Sequence, residues 1–166
     1  MKLRKLLYQT GLFLLDLVEL YIPILTFIAM FVAFLLTIFF RYFLRSPLGW
    51  GMEAQIAAFI WTALLSAAYT RRKRAHVKFT LVYDKLSERG QAWMRIAENL
   101  IIGAVFAVVL HPTYDYIQFM AFQRTTRLRI PFNYVYFPFV VMMLLVIGHC
   151  LYDIVMDIRR LRRGEV

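Results

Sequence analysis

The sequence predicts an all-α membrane protein of four transmembrane helices, with both termini in the cytoplasm and amphipathic helical segments at the interface. Three observations carry this reading. Of 166 residues, 61% are hydrophobic and 18% charged, far more apolar than a soluble domain. Four apolar runs, 21–40, 54–70, 100–122 and 132–156, are long enough to cross a hydrocarbon layer of ~30 Å at ~1.5 Å per residue. These runs also divide the basic residues unequally. Of the 20 Lys and Arg, 15 fall in the N-terminal segment, the second connection and the tail, and five in the first and third connections. Lys and Arg resist translocation, so the richer side is cytoplasmic.

The first element is the longest. Residues 3–42, as one helix, would extend about 60 Å, twice the hydrocarbon thickness. Lys2, Arg4, Lys5, Asp16 and Glu19 stand among leucines in its leading part, a pattern suited to the membrane interface. A change of direction is expected at Pro23. A basic start with no small-residue cleavage pattern favours a retained helix over a cleaved signal. Trp50 and Glu53 open the second element, and residues 54–70 carry no charge. The run ends in Arg71, Arg72, Lys73, Arg74, Ala75 and His76. Such a cluster orients a span and attracts anionic phospholipid, at about 1 kcal/mol per basic residue.

Phe79, Val82, Tyr83 and Leu86 follow at i, i+3, i+4 and i+7, which suits a short surface helix or an ordinary connector against protein. Ser87 is placed to cap the third helix, and Pro112 to kink it. That helix, from residue 88 to 122, would run about 50 Å and pass beyond the bilayer. The fourth run leads into the basic tail. With no repeat and no separate polar region, residues 1–166 read as a single integral membrane domain.

Composition also excludes functions. The net charge of +10 lies between apolar runs and not along a polar face, so nucleic acid is not a partner. The single cysteine, Cys150, allows no disulfide within the chain and reads as a small core or lipid-facing residue. No nucleophile, base and oxyanion element converge by spacing, so an enzyme is not expected. A haem-carrying respiratory anchor would need two converging histidines. His76 sits in the basic cluster, and His111 and His149 lie ~17 and ~10 Å from the inner ends of their runs, an awkward offset. An autonomous channel needs polar linings, and these runs are largely Leu, Ile, Phe, Val and Ala.

Individual polar residues remain open. Arg41 and Glu53 flank the first outer turn and can pair with each other, with another protein or with headgroups. Asp115 lies within the third run, where a carboxylate faces a partner helix or water; an ion site there would need more oxygen ligands. Trp50, Trp93, Tyr134 and Tyr136 suit the aromatic belts.

Several short elements occur together and in order. Ile38-Phe39-Phe40-Arg41-Tyr42-Phe43 leads through a turn containing Pro47 to Trp50 and Glu53; Arg71 to Val77 gives a basic-His-hydrophobic element, followed by Asp84. Leu128-Arg129-Ile130-Pro131 and Tyr136-Phe137-Pro138 precede and enter the last run. In this order the chain resembles the small (Q-type, DctQ-like) membrane subunit of TRAP (tripartite ATP-independent periplasmic) transporters. It departs from that pattern at Ala54, where a second acid is common, and at Ser66 and Arg129, where glycine is common.

The resemblance implies a scaffold in the bacterial inner membrane. Its partners would be a large many-spanning subunit, a periplasmic substrate-binding protein and membrane phospholipids. It implies ion-gradient-driven uptake of an organic acid, sodium ions in the large subunit and no cofactor in this one. Arg41, Tyr42, Trp50, Glu53, Asp115 and Pro131 are then the candidate interface or structural residues. The small subunit of tricarboxylate-type tripartite transporters, also four-spanning, is the alternative nearest in fold.

Overall fold

A computed structural model describes residues 2–73 and 87–163, with side chains from residue 9. Helix α1 (Lys2–Asp16) runs through a π-helical turn (Leu17–Tyr21) into α2 (Ile22–Tyr42). Then come α3 (Gly51–Arg72), α4 (Glu88–Phe119) with a terminal 3₁₀ turn (Met120–Phe122), and α5 (Phe132–Arg163). Four stretches are long and apolar enough to span: Gln9–Tyr42, Gly51–Arg72, Glu88–Phe122 and Phe132–Arg163. The all-α, four-helix prediction stands, but each helix outruns its apolar core. Helical hydrogen bonding does not stop at the hydrocarbon edge, and the charged ends find partners on neighbouring helices.

Ser87 caps α4 as expected, its hydroxyl accepting from the Gly90 N–H at 3.4 Å. Near Pro23 the helical backbone is unbroken. Asp16, Tyr21 and Ile22 all keep right-handed helical dihedrals, so the chain continues without a break. Proline has no N–H to donate to the preceding turn. Here a wide turn, closed by Ile22 N–H to Leu17 C=O, sets Pro23 in the opening turn of α2, where a missing donor costs least.

Among the described residues the helices pack in a row: α2 on α3, α3 on α5, and α5 on α4. The core lies along α5. Met142, Met143, Val146 and Cys150 pack with Ala68 of α3, flanked by Ile102 and Phe106 of α4. Ala68 and Cys150 are wholly buried; small side chains at the closest approach let the backbones come together, which matters where lipid supplies no hydrophobic drive. A row leaves two broad faces open, and only 11–28% of each span's apolar window is buried.

Candidate functional site

Polar side chains gather in two layers, one at each end of the row. The layer at the end expected to face the cytoplasm, called the inner one for that reason, begins where α3 ends. Arg71 and Arg72 are adjacent and so diverge by about 100° around the helix, which sends them to different neighbours. Arg72 hydrogen-bonds Asp16 of α1. Its Nε also lies 2.8 Å from Glu19 Oε2 in the π turn, although that N–H does not point along the contact. This is a charge contact without a directed hydrogen bond. The other Glu19 oxygen meets His149 Nε2 of α5.

Arg71 turns the other way. It donates to Asn99 and, at 3.5 Å, to Glu98 of α4, with Cys150 Sγ at 3.6 Å. Arg95 of α4 then grips Asp157 of α5, Nη2 to Oδ1 at 3.1 Å and Nε to Oδ2 at 3.2 Å. Glu19 and Asp157 are each only 1% exposed. An unpaired buried charge costs several kcal/mol, and each of these is offset by an opposite charge on a different helix. All four spans are therefore linked at this end.

The outer layer is built on Glu53, in the first turn of α3. Its carboxylate accepts from the backbone N–H of Arg127 (2.9 Å) and Leu128 (2.9 Å). These belong to the connection between α4 and α5, which is itself closed. Arg124 and Pro131 form an antiparallel bridge, and the Ile130 N–H donates to the Thr125 hydroxyl at 3.0 Å. Arg127 also lies over Gly49, within 3.3 Å of where a Cβ would stand. Between the layers, Gln55 donates to Thr37 (3.0 Å) and Thr26 shares a hydroxyl hydrogen bond with Thr62 (2.8 Å). The first two spans are thus stitched at three depths.

These positions revise several expectations. Glu53 does not pair with Arg41; it clamps the third connection, because backbone N–H donors left over by a tight turn lie within reach of its oxygens. Arg41 instead lines a depression with Thr37, Arg45, Pro47 and Leu48. Tyr42 is 71% exposed and Trp50 stands at the α3 N-terminus, 39% exposed. Pro131 closes the loop before α5.

Arg71 and Arg72 are not a free lipid-facing cluster: Glu98 and Asn99 take the first, Asp16 and Glu19 the second. Lys73 is exposed beside the Tyr69 ring. Arg74, His76 and the amphipathic pattern after them lie outside the described residues. Among the described residues Asp115 meets no neighbouring helix. It pairs with His111 one turn away at 3.2 Å, both side chains well exposed. His149, the other histidine of the haem reading, is engaged by Glu19.

The residues that sequence reasoning missed as a group are Asp16, Glu19, Arg95, Asn99, His149 and Asp157. Their signal was available: polar side chains, most of them ionisable and of both signs, at or inside the ends of apolar runs.

The family "Tripartite ATP-independent periplasmic transporters, DctQ component" matches residues 30–160. The chain belongs to this family. No curated protein matches it. As a DctQ component it is a small permease subunit of a TRAP transporter and a multi-pass membrane protein. Within the matched stretch of this DctQ chain lie Arg72 and His149, whereas their partners Asp16 and Glu19 precede it.

Proposed function

We propose that this subunit scaffolds the large transport subunit of a TRAP system in the bacterial inner membrane. The system takes up an organic acid, delivered by a periplasmic binding protein and driven by an ion gradient. The observation carrying this reading is the division of labour on the surface. The buried carboxylates and their basic partners are spent on holding the helices to one another, while two apolar faces of the row stay open. Such a body suits a fixed wall against which a second membrane protein packs. Sodium is assigned to the large subunit because membership of this family implies it. Both termini are assigned to the cytoplasm on the 15-to-5 distribution of Lys and Arg.

Reconstitution tests the assignment. Liposomes holding both membrane subunits, given the binding protein and an inward sodium gradient, should accumulate substrate without ATP. Omitting this subunit should abolish uptake. Full uptake by the large subunit and binding protein alone would refute the scaffold role.

A further inference from the structure

Polar groups line the side of α4 that faces away from α5. At about 100° per residue, Val108, His111, Asp115 and Gln118 share a sector of about 80°. It lies opposite Phe106 and Leu110, which pack on the core, and the buried Ile117. All four residues are exposed, the His111 and Asp115 side chains by 84% and 62%. Asp115 is about 10 Å and His111 about 17 Å along the helix from Phe122, so both sit inside a hydrocarbon layer of ~30 Å.

These groups outnumber their partners in the chain. His111 Nδ1 meets one Asp115 oxygen, Oδ2, at 3.2 Å; the other oxygen and the ring Nε2 are unused among the described residues. Gln118 bonds to no other helix among them. Pro112, inside the helix, adds an independent demand, because it has no N–H to give the Val108 carbonyl one turn back. In hydrocarbon no water meets such groups. The opposite edge of the row, on α2, has the contrary character. Residues 22–40 include no ionisable side chain. Thr26 and Thr37 turn in to side chains of α3, and the exposed residues include Leu25, Ile28, Phe31 and Leu35.

We propose that the α4 edge is where the large transport subunit docks, through a helix that brings hydrogen-bond donors to Asp115 and the Val108 carbonyl, while the α2 edge faces lipid. This rests on the scaffold reading above and adds the side on which the partner sits. A carboxylate and a carbonyl are acceptors, so the complementary side chains are donors, Lys or Arg foremost, since either also meets the carboxylate's charge. Lipid tails offer no donor, and an acid held against them is unfavourable. A second copy of this chain is a poorer occupant. Two copies in one membrane share an orientation, so a two-fold dimer through this edge brings equal depths together and sets Asp115 against Asp115. Like charges repel most strongly where water is excluded.

Leucine separates docking from folding here, because an exposed leucine suits lipid. In Asp115→Leu/Gln118→Leu, the large subunit recovered by co-purification from solubilised membranes should fall by about tenfold or more. The variant itself should keep its yield and melting temperature. Phe31→Ala/Leu35→Ala, on α2, should leave co-purification as it was. A photo-crosslinking amino acid in place of Val108 should capture the large subunit, and one in place of Phe31 should capture no protein. Unchanged co-purification of the leucine variant, or failure of position 108 to capture the large subunit from an intact complex, would overturn the placement and leave the scaffold reading standing. Capture of a second copy of this chain at position 108 would overturn it in favour of a dimer. A leucine variant that loses its own fold would make the stripe structural, unless position 108 still captures the large subunit. If the wild-type chain does not co-purify with the large subunit at all, the scaffold reading fails and the placement falls with it.

Discussion

Glu19 is the residue on which the inner layer turns. Its carboxylate is buried between Arg72 and His149, on a turn whose extra residue lets Asp16 and Glu19 both reach one guanidinium. Removing one member of a buried charge group leaves the others uncompensated, at about 3–5 kcal/mol. Glu19→Ala and Arg72→Ala should each lower stability by that order. The double variant should cost clearly less than their sum, with a coupling of about 0.5–3 kcal/mol. Unfolding in detergent measures this, and additive effects would contradict the contact.

A second residue-scale test concerns Gly51. A Cβ there would stand 2.2 Å from the Thr37 hydroxyl oxygen, so Gly51→Ala should destabilise by about 1–3 kcal/mol. Thr37→Ala in the same chain should recover part of the loss, even though it removes the acceptor for Gln55. No recovery would place the strain elsewhere.

Among the elements, the connection between α4 and α5 owes its shape to a side chain 70-odd residues upstream in the sequence, Glu53. Glu53→Ala should hand its two N–H donors to water and loosen the loop. Hydrogen exchange should quicken at Arg127 and Leu128 while protection around Arg95 stays as it was. Uniform loss of protection would mean that Glu53 supports the whole fold and not this loop. The hydroxyl pair Thr26–Thr62 belongs to the same scale but matters less, since interhelical hydrogen bonds in membranes average only ~0.6 kcal/mol. The stitching is firm because it recurs at three depths.

For the whole molecule, orientation and autonomy can both be checked. Cys150 is wholly buried, so cysteines introduced elsewhere can be labelled over a quiet background. Ser46→Cys and Thr126→Cys should react from outside, and Lys73→Cys and Arg163→Cys only after permeabilisation; reaction of Ser46→Cys and Lys73→Cys from the same side would break the four-span topology. The subunit alone should also move nothing. Its spans hold no broken pair of half-helices of the kind that forms midplane sites in secondary transporters, and sodium-driven uptake by this chain in otherwise empty liposomes would overturn the scaffold reading.

Apolar run length, the Ser87 cap and the unequal division of Lys and Arg are local properties, and from them the sequence by itself determined the four helices, their class and the expected sidedness. The family was legible too, in short motifs such as Arg41-Tyr42 and Trp50 with Glu53. Only the tertiary structure decided what the charges do. Arg71 and Arg72 look alike as neighbours in a basic run, yet one serves α4 and the other the π turn. Glu53 and Arg41 look like partners across a turn, yet the nearer acceptor demand comes from a loop far along the chain. A carboxylate or guanidinium at the membrane edge takes whichever opposite group the packing brings within reach, and the order of helices in the row, α2, α3, α5, α4, is a property of packing that no local stretch encodes.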